Sequence, residues 1–565
     1  MHIKNTKSGF ILTKDSVDFN FISDIVPNMI TDCLEIEITK NAPMPEIISG
    51  DRLLLPVDEG IAIDADGEYD NGEYDCSYFR GSFCSREGTM NMLIIERKNK
   101  YLLIALQTGV YSQYYVKKSG NLFVPEINCD KPTMMVYKIF DSLIEACKYY
   151  RNYQKTDFIP LNNKVAENSD ITKLTQGGIF WIWNEHYDEV MYSDHDTNVS
   201  AEAGQDLINT ASALYDAGIK NAMIGIFFEA DSPYVEQLYK KFGYIATQYD
   251  NYNDVLNPAL LEIIPNNRVK SCDYTRRRMK DYPDGIIVND KGELAHAWAL
   301  KGFDNEFHFQ NKLCPLIAKQ RMKEEVPQIL NDFPYYKGRF IDVFATGLST
   351  CCSQSHPITR DKALDVENDA FLFLKNSGLI TGTEDGFEGV INNLVYSEGL
   401  HSPVYWRFKD CGRSHAHLHS SEQTWHLLKY MMNPKNRIPL WQLVHHEDML
   451  SFPYWGDSVT ASPHNTRKKV LFSCLYGCPP LYSFSVKDFP KLKNDIVGSY
   501  KAITSVMEKV ATLPMTNFEI LTEDYNIQQS VFGDKYEITV NFGDKDYNLN
   551  GVTIPANDYV LRYVK

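Results

Sequence analysis

From about Thr175 the chain alternates short apolar runs with stretches whose apolar residues recur at helical spacing, and this rhythm restricts the fold more than any other feature. Eight runs follow in order: Gly178–Trp183, Ala222–Phe228, Tyr244–Tyr249, Phe340–Phe344, Leu379–Thr383, Val404–Phe408, Pro439–Val444 and Val470–Tyr476. Segments between them, such as Glu202–Ala217 and Tyr234–Phe242, carry the helix period. Eight strand and helix pairs predict a (β/α)8 TIM-like barrel over residues 170–512, closed by a last helix near Lys487–Thr512. The interval between the third and fourth runs is roughly ninety residues, room for further elements over the barrel mouth.

Both flanks read differently. Residues 1–165 are short β-rich segments separated by turn residues, among them Leu53–Pro56, Met92–Ile95, Tyr101–Leu106 and Leu122–Val124, which predicts an antiparallel β-sandwich. Residues 513–565 return to short alternating strands, Tyr536–Asn541 and Asp558–Tyr563, with a turn at Asn550-Gly551, and predict a small C-terminal β domain.

Charge narrows the partners. With 57 basic and 74 acidic residues the net charge is −17, which argues against nucleic acid, whose binding needs clustered Lys and Arg. The dense basic run Arg276-Arg277-Arg278 is followed by Asp281 and Asp284 and reads as a solvated helix face. Lys4, Lys7, Lys14, Asp15 and Asp18 interrupt the start of the chain, and no run approaches the roughly 18 apolar residues that cross a bilayer. The twelve cysteines form neither a CxxC pattern nor a compact disulfide framework. These features together predict a cytoplasmic protein with no membrane partner.

In such a barrel chemistry collects at the C-terminal ends of the strands. The fourth run delivers Asp342 and the fifth Glu384-Asp385, separated by roughly 40 residues, enough for one helix and its loops. Neighbouring strands lie about 4.8 Å apart, so two such carboxyls can approach the roughly 5–5.5 Å separation of a retaining glycosidase. The first run ends in Trp181-Ile-Trp183-Asn-Glu185-His186 and the third in Tyr249-Asp250-Asn251-Tyr252-Asn253-Asp254. The seventh ends in His445-His446-Glu447-Asp448, with Trp455 beyond it. Rings, amides and acids in one bowl suit a polyhydroxylated ligand, because each hydroxyl both donates and accepts hydrogen bonds. Trp183, Tyr249, Asn251, Asp385 and Trp455 are therefore candidate sugar-binding residues, and the expected partner is a carbohydrate.

The segments Asp250-Asn-Tyr-Asn-Asp254, Phe340-Ile-Asp342-Val, Gly382-Thr-Glu384-Asp-Gly386 and Pro439-Leu-Trp-Gln-Leu-Val-His-His446-Glu-Asp448, then Tyr454-Trp-Gly-Asp457, resemble glycoside hydrolase family 129 and its endo-acting relative, family 101. That resemblance implies a retaining α-N-acetylgalactosaminidase acting on mucin-type O-glycans, exo-acting because the chain is shorter than the endo-acting enzymes. It maps Asp342 to the nucleophile and Glu384 to the general acid/base, with Asp250, Asn253, Asp254, His446 and Asp448 in sugar-contacting segments. Two departures stand out: Thr383 where the resemblance calls for Ser, and Glu447 between His446 and Asp448. Asp385 and Glu388 are alternative acids. No cofactor is needed for the chemistry; calcium enters as a ligand from the resemblance and from the acids near Asp64–Asp75 and Asp250–Asp254.

A rival reading rests on His415-Ala-His417-Leu-His419, which on an extended segment turns three imidazoles to one face, as in a metal-dependent amidohydrolase. A glycan-binding protein without catalysis is a third reading, against which the intact pair Asp342 and Glu384 speaks.

Overall fold

The computed structural model describes residues 1–24, 29–30, 32–67, 78–183, 199–226, 232–264, 277–402 and 427–564. They divide into two compact units. One is Met1–Phe158 with Trp425–His446 and Leu513–Lys565; the other is Ile159–Thr424 with Glu447–Thr512.

The first unit is antiparallel β throughout its sheets. A seven-stranded sheet runs in the order Met29–Ile30, Cys33–Ile38, Thr133–Phe140, Lys100–Leu106, Met92–Arg97, Arg52–Leu55 and Ile61–Asp64. Two three-stranded sheets complete the sandwich. In the strand Val17–Ile22, Val17, Phe19 and Phe21 are buried while Asp18, Asn20 and Ile22 are exposed, the period of two that a half-buried sheet requires. Phe10 stacks on Phe21 at 4.5 Å, and Phe21 meets Tyr137 of the larger sheet edge-on at 5.6 Å. Near the C-terminus a four-stranded sheet joins Met515–Ile520, Ile527–Phe532, Tyr536–Asn541 and Asp558–Tyr563. Asn550 and Gly551 both take positive φ (51° and 84°), as the tight turn of the hairpin Tyr547–Leu549/Val552–Ile554 demands.

The second unit is a nearly closed parallel barrel. Its strands are β1 (Gly178–Trp183), β2 (Ala222–Ile226), β3 (Ile245–Asn251), β4 (Tyr336–Asp342), β5 (Ile380–Glu384), β6 (Tyr396–Glu398), β7 (Leu450–Phe452) and β8 (Leu481–Ser485). They pair in the order 7-6-5-4-3-2-1-8, so β8 returns to β1 and the gap falls between β7 and β8. Among the helices around it are α1 (Val199–Asp216), α2 (Ser232–Phe242), α3 (Pro315–Asp332), α4 (Arg360–Asn376), α5 (Thr466–Tyr476) and α6 (Phe489–Val510). The long interval after β3 holds a three-stranded antiparallel sheet of Asp254–Val255, Phe307–Lys312 and His296–Lys301. No helix among the described residues is long and apolar enough to cross a membrane.

Five of the eight apolar runs are the barrel strands β1 to β5. The other three are not β6 to β8. Residues 404–408 lie outside the described residues, and β6 precedes them. The run 439–444 is a short helix, Leu440–His445, in the first unit, and 470–476 belongs to α5. Both helical runs are buried along their whole length, so they lack the amphipathic period that separates a helix from a buried strand.

Candidate active site

Register and pleat arrange the site. Asn251, the last residue of β3, stands opposite Asp342, the last of β4, and Glu384 at the end of β5 stands opposite Glu398 at the end of β6. Side chains alternate across a strand. Tyr249 and Asn251 therefore share one face of β3, and Gln248 and Asp250 share the other.

On the inner face, the Tyr249 hydroxyl donates to Asp342 Oδ2 at 2.5 Å and Asn251 Nδ2 to the same oxygen at 3.3 Å. Asn251 also donates to Asp254 at 2.8 Å, as does Asn253. Trp298 of the inserted sheet supplies a backbone amide that favours the Asp254 carboxylate. Glu384 is hydrogen-bonded to Asp342. Burial pushes the Asp342 carboxyl up to about 6; the Glu384 and Tyr249 hydrogen bonds pull it down, and Asp254 and Asp385 push it up.

On the outer face Asp250 is wholly buried behind the site. Arg339 Nη2 donates to one of its oxygens, and Arg339 Nη1 donates to Gln248 at 2.8 Å. Burial opposes its charge, but Arg339, Arg278 and Arg277 outweigh that and hold the carboxyl below its usual range. Arg278 is fixed in turn by Glu325 of α3 at 2.6 and 2.8 Å. Asp250 is thus tied into an ion cluster and turned away from the sugar-binding face expected for it. Nor does Arg278 of the basic run lie on a solvated face, since it is fully buried.

Asp385 and Glu398 are the other acids at these strand ends. Asp385 is fully buried in the left-handed region (φ 53°), where its amide donates to the Glu398 carbonyl at 2.8 Å. A Cβ on Gly399 would lie 2.1 Å from Asp385 Oδ1, so only glycine leaves room for that carboxyl. Glu398 accepts the Trp181 indole N–H at 2.9 Å, while its Oε1 has no partner among the described residues. Burial, reinforced by Asp342, raises its carboxyl well above the usual range. No motif reading singled out Glu398, yet Ser397-Glu398-Gly399 repeats the pattern of Glu384-Asp385-Gly386: a barrel strand, an acid, then glycine.

Other expected residues fall elsewhere. His446 belongs to the first unit, with Nδ1 at 2.6 Å from the Leu513 carbonyl and its ring against Phe532. Asp448 precedes β7 at the N-terminal end of the barrel, where its carbonyl, with those of Ile391 and Leu394, accepts the buried Lys164 ammonium at 2.7–2.8 Å. The run 439–444 is a helix, so neither residue follows a strand. Trp455 does lie beyond the C-terminal end of β7, its ring tilted against that of Tyr454 at 4.9 Å. Trp183 ends β1. Its side chain, Glu185-His186, the three histidines at 415, 417 and 419, and the acids from residue 68 to 75 lie outside the described residues. The oxygens of Asp250 and Asp254 are occupied by arginines and amides, which does not suit a calcium cage.

Residues 213–531, more than half of the chain, match the glycosyl hydrolases related to the GH101 family, GH129. The chain belongs to glycoside hydrolase family 129. It is therefore a glycosidase, with a carbohydrate as its substrate. No curated protein sequence matches it. Its fold is similar to that of the α-N-acetylgalactosaminidase NagBb from Bifidobacterium bifidum. The ligand-free NagBb structure aligns with TM-score 0.68 and 14% identity over 96% of this chain and 98% of that one. NagBb in complex with GalNAc aligns with TM-score 0.67 and 14% identity over 95% and 96%. The family 129 chain described here thus shares that fold across nearly its whole length.

Proposed function

We propose that this family 129 enzyme is a retaining, exo-acting α-N-acetylgalactosaminidase that trims mucin-type O-glycan fragments, with Asp342 as nucleophile and Glu384 as general acid and base. The observation that carries the reading is the hydrogen-bonded contact of the two carboxyls at the neighbouring ends of β4 and β5, with Tyr249 and Asn251 donating to Asp342. The two donors on Asp342 favour its ionised form, which assigns the proton between the two carboxyls to Glu384. That is the division of labour double displacement needs: Asp342 attacks the anomeric carbon while Glu384 protonates the leaving oxygen. Glu384, deprotonated by that step, then takes a proton from water as the water attacks the glycosyl-enzyme. Carboxyls in contact are far closer than the roughly 6.5–9.5 Å an inverting enzyme keeps for its water.

The surrounding acids support the same chemistry. Asp254 and Asp385 act on the pair as neighbouring acids, and such a field favours the positive charge that develops on the sugar in an oxocarbenium-like transition state. Glu398, kept neutral by burial, adds no charge against Asp342. The substrate assignment draws on the family and on the likeness in fold to NagBb.

Release of nitrophenol from a panel of aryl α- and β-glycosides tests the reading. Hydrolysis confined to the α-N-acetylgalactosaminide, lost in Asp342→Asn, is the expected result. Glu384→Gln should impair poor leaving groups far more than activated aryl ones; equal losses would remove it as the acid.

A further inference from the structure

The loop between β4 and α4 folds back on itself. Cys351 and Ile358 exchange backbone hydrogen bonds at 2.9 and 3.0 Å, closing a small loop that contains His356. Cys314 is the N-cap residue of α3. The two thiol sulfurs and a ring nitrogen of His356 all lie within 4.8 Å of one another, and all three residues are buried.

The atoms around this cluster leave its lone pairs pointing inward. His356 Nε2 is 2.7 Å from the Asp284 carbonyl oxygen, which can only accept, so Nε2 carries the hydrogen and Nδ1 is left as an acceptor. Nδ1 lies 3.4 Å from Cys351 Sγ. A backbone carbonyl that orients an imidazole in this way is the usual outer partner of a metal-bound histidine. The Val288 amide donates to Cys351 Sγ at 3.4 Å, and the amides of Leu316 and Ile317 favour a thiolate at Cys314. Burial works against that thiolate and pushes the thiol up to about 12, with Sγ 3.7 Å from the His356 carbonyl. A tetrahedral zinc with Zn–S about 2.3 Å and Zn–N about 2.0–2.1 Å separates sulfur from nitrogen by roughly 3.6 Å, close to the spacing here.

We propose that Cys314, Cys351 and His356 bind a thiophilic divalent cation, zinc by its ligand set, which clasps the loop following Asp342 to the start of α3. Binding breaks two S–H bonds, forms two sulfur–metal bonds and one nitrogen–metal bond, and releases two protons to solvent. Three protein ligands leave the fourth tetrahedral position to water. The site is independent of the glycosidase assignment, and its ligands come from segments too far apart in sequence to form a spacing motif.

The test is an anaerobic Co2+ titration of the reduced, chelator-treated chain. Expected is a near-ultraviolet thiolate-to-cobalt band that saturates at about one equivalent and is bleached by Zn2+. It should vanish in the Cys314→Ser/Cys351→Ser variant and persist in Cys352→Ser. If the double variant fails to fold, His356→Gln serves instead, with at least a tenfold loss of Co2+ affinity. Absence of the band in the wild type, its survival in the ligand variants, or a Cys314–Cys351 disulfide with no cobalt uptake after reduction would each overturn the proposal.

Discussion

At Asp342 three donors oppose burial and two neighbouring acids over one proton. The outcome, a carboxyl near 6, sets two measurable consequences. The unfolded group titrates near 3.8 and the folded one near 6, so the stability Asp342 contributes is fully present below pH 3.8 and lost as pH rises through about 6. Asp342→Asn should therefore abolish turnover yet raise unfolding stability at pH 7, by on the order of 1–3 kcal/mol, with the gain shrinking toward pH 4. Urea melts of both proteins across that range check it. Activity needs the ionised form, so kcat/KM should fall as pH drops below about 6. Tyr249→Phe removes a hydrogen bond that lowers this value, and should move the acid limb upward by about half a unit to one unit. An unmoved limb would show that another group controls it. Glu398 offers a complementary check: because burial keeps it neutral, Glu398→Gln should leave the acid limb in place. A clear downward move would mean that Glu398 carries charge.

Elements set where those residues point. β4 and β5 each end in an acid followed by a residue in the left-handed region: Val343 (φ 48°) after Asp342 and Asp385 (φ 53°) after Glu384. Aspartate tolerates this conformation, whereas a β-branched valine there is strained by about 1–3 kcal/mol. Val343→Gly should raise the thermal midpoint, and Gly399→Ala, which drives a methyl into Asp385, should lower both stability and activity. Lys164→Met should destabilise the barrel by at least about 2 kcal/mol, because three buried carbonyls lose their donor. β1 to β5 were legible because each is a run of five to seven residues flanked by turn signals. β6 and β7 are three residues long, too short for any pattern, and the fully buried helical runs at 439–444 and 470–476 read like the strands β7 and β8 that follow them. The same shift explains why His446 and Asp448 were expected at a strand end, and why Glu398 escaped notice. Asp250 was misjudged for another reason. Its motif marks the end of β3, but alternation along that strand turns it to Arg339 while Tyr249 and Asn251 turn to Asp342.

Across the whole chain, the change from short β-rich segments to alternating strand and helix is readable, because antiparallel strands are joined by short turns whereas parallel ones need a helical crossover between them. The likeness in fold to NagBb extends over 96% of the chain at 14% identity, so core packing tolerates wide substitution. The central claim is that Asp342 and Glu384 perform double displacement on an α-linked N-acetylgalactosaminide. Time-resolved NMR of p-nitrophenyl α-N-acetylgalactosaminide with the wild-type enzyme tests it most directly. The account predicts that the α-anomer of free N-acetylgalactosamine forms first and mutarotates later; first appearance of the β-anomer, or no release of the sugar, would contradict it.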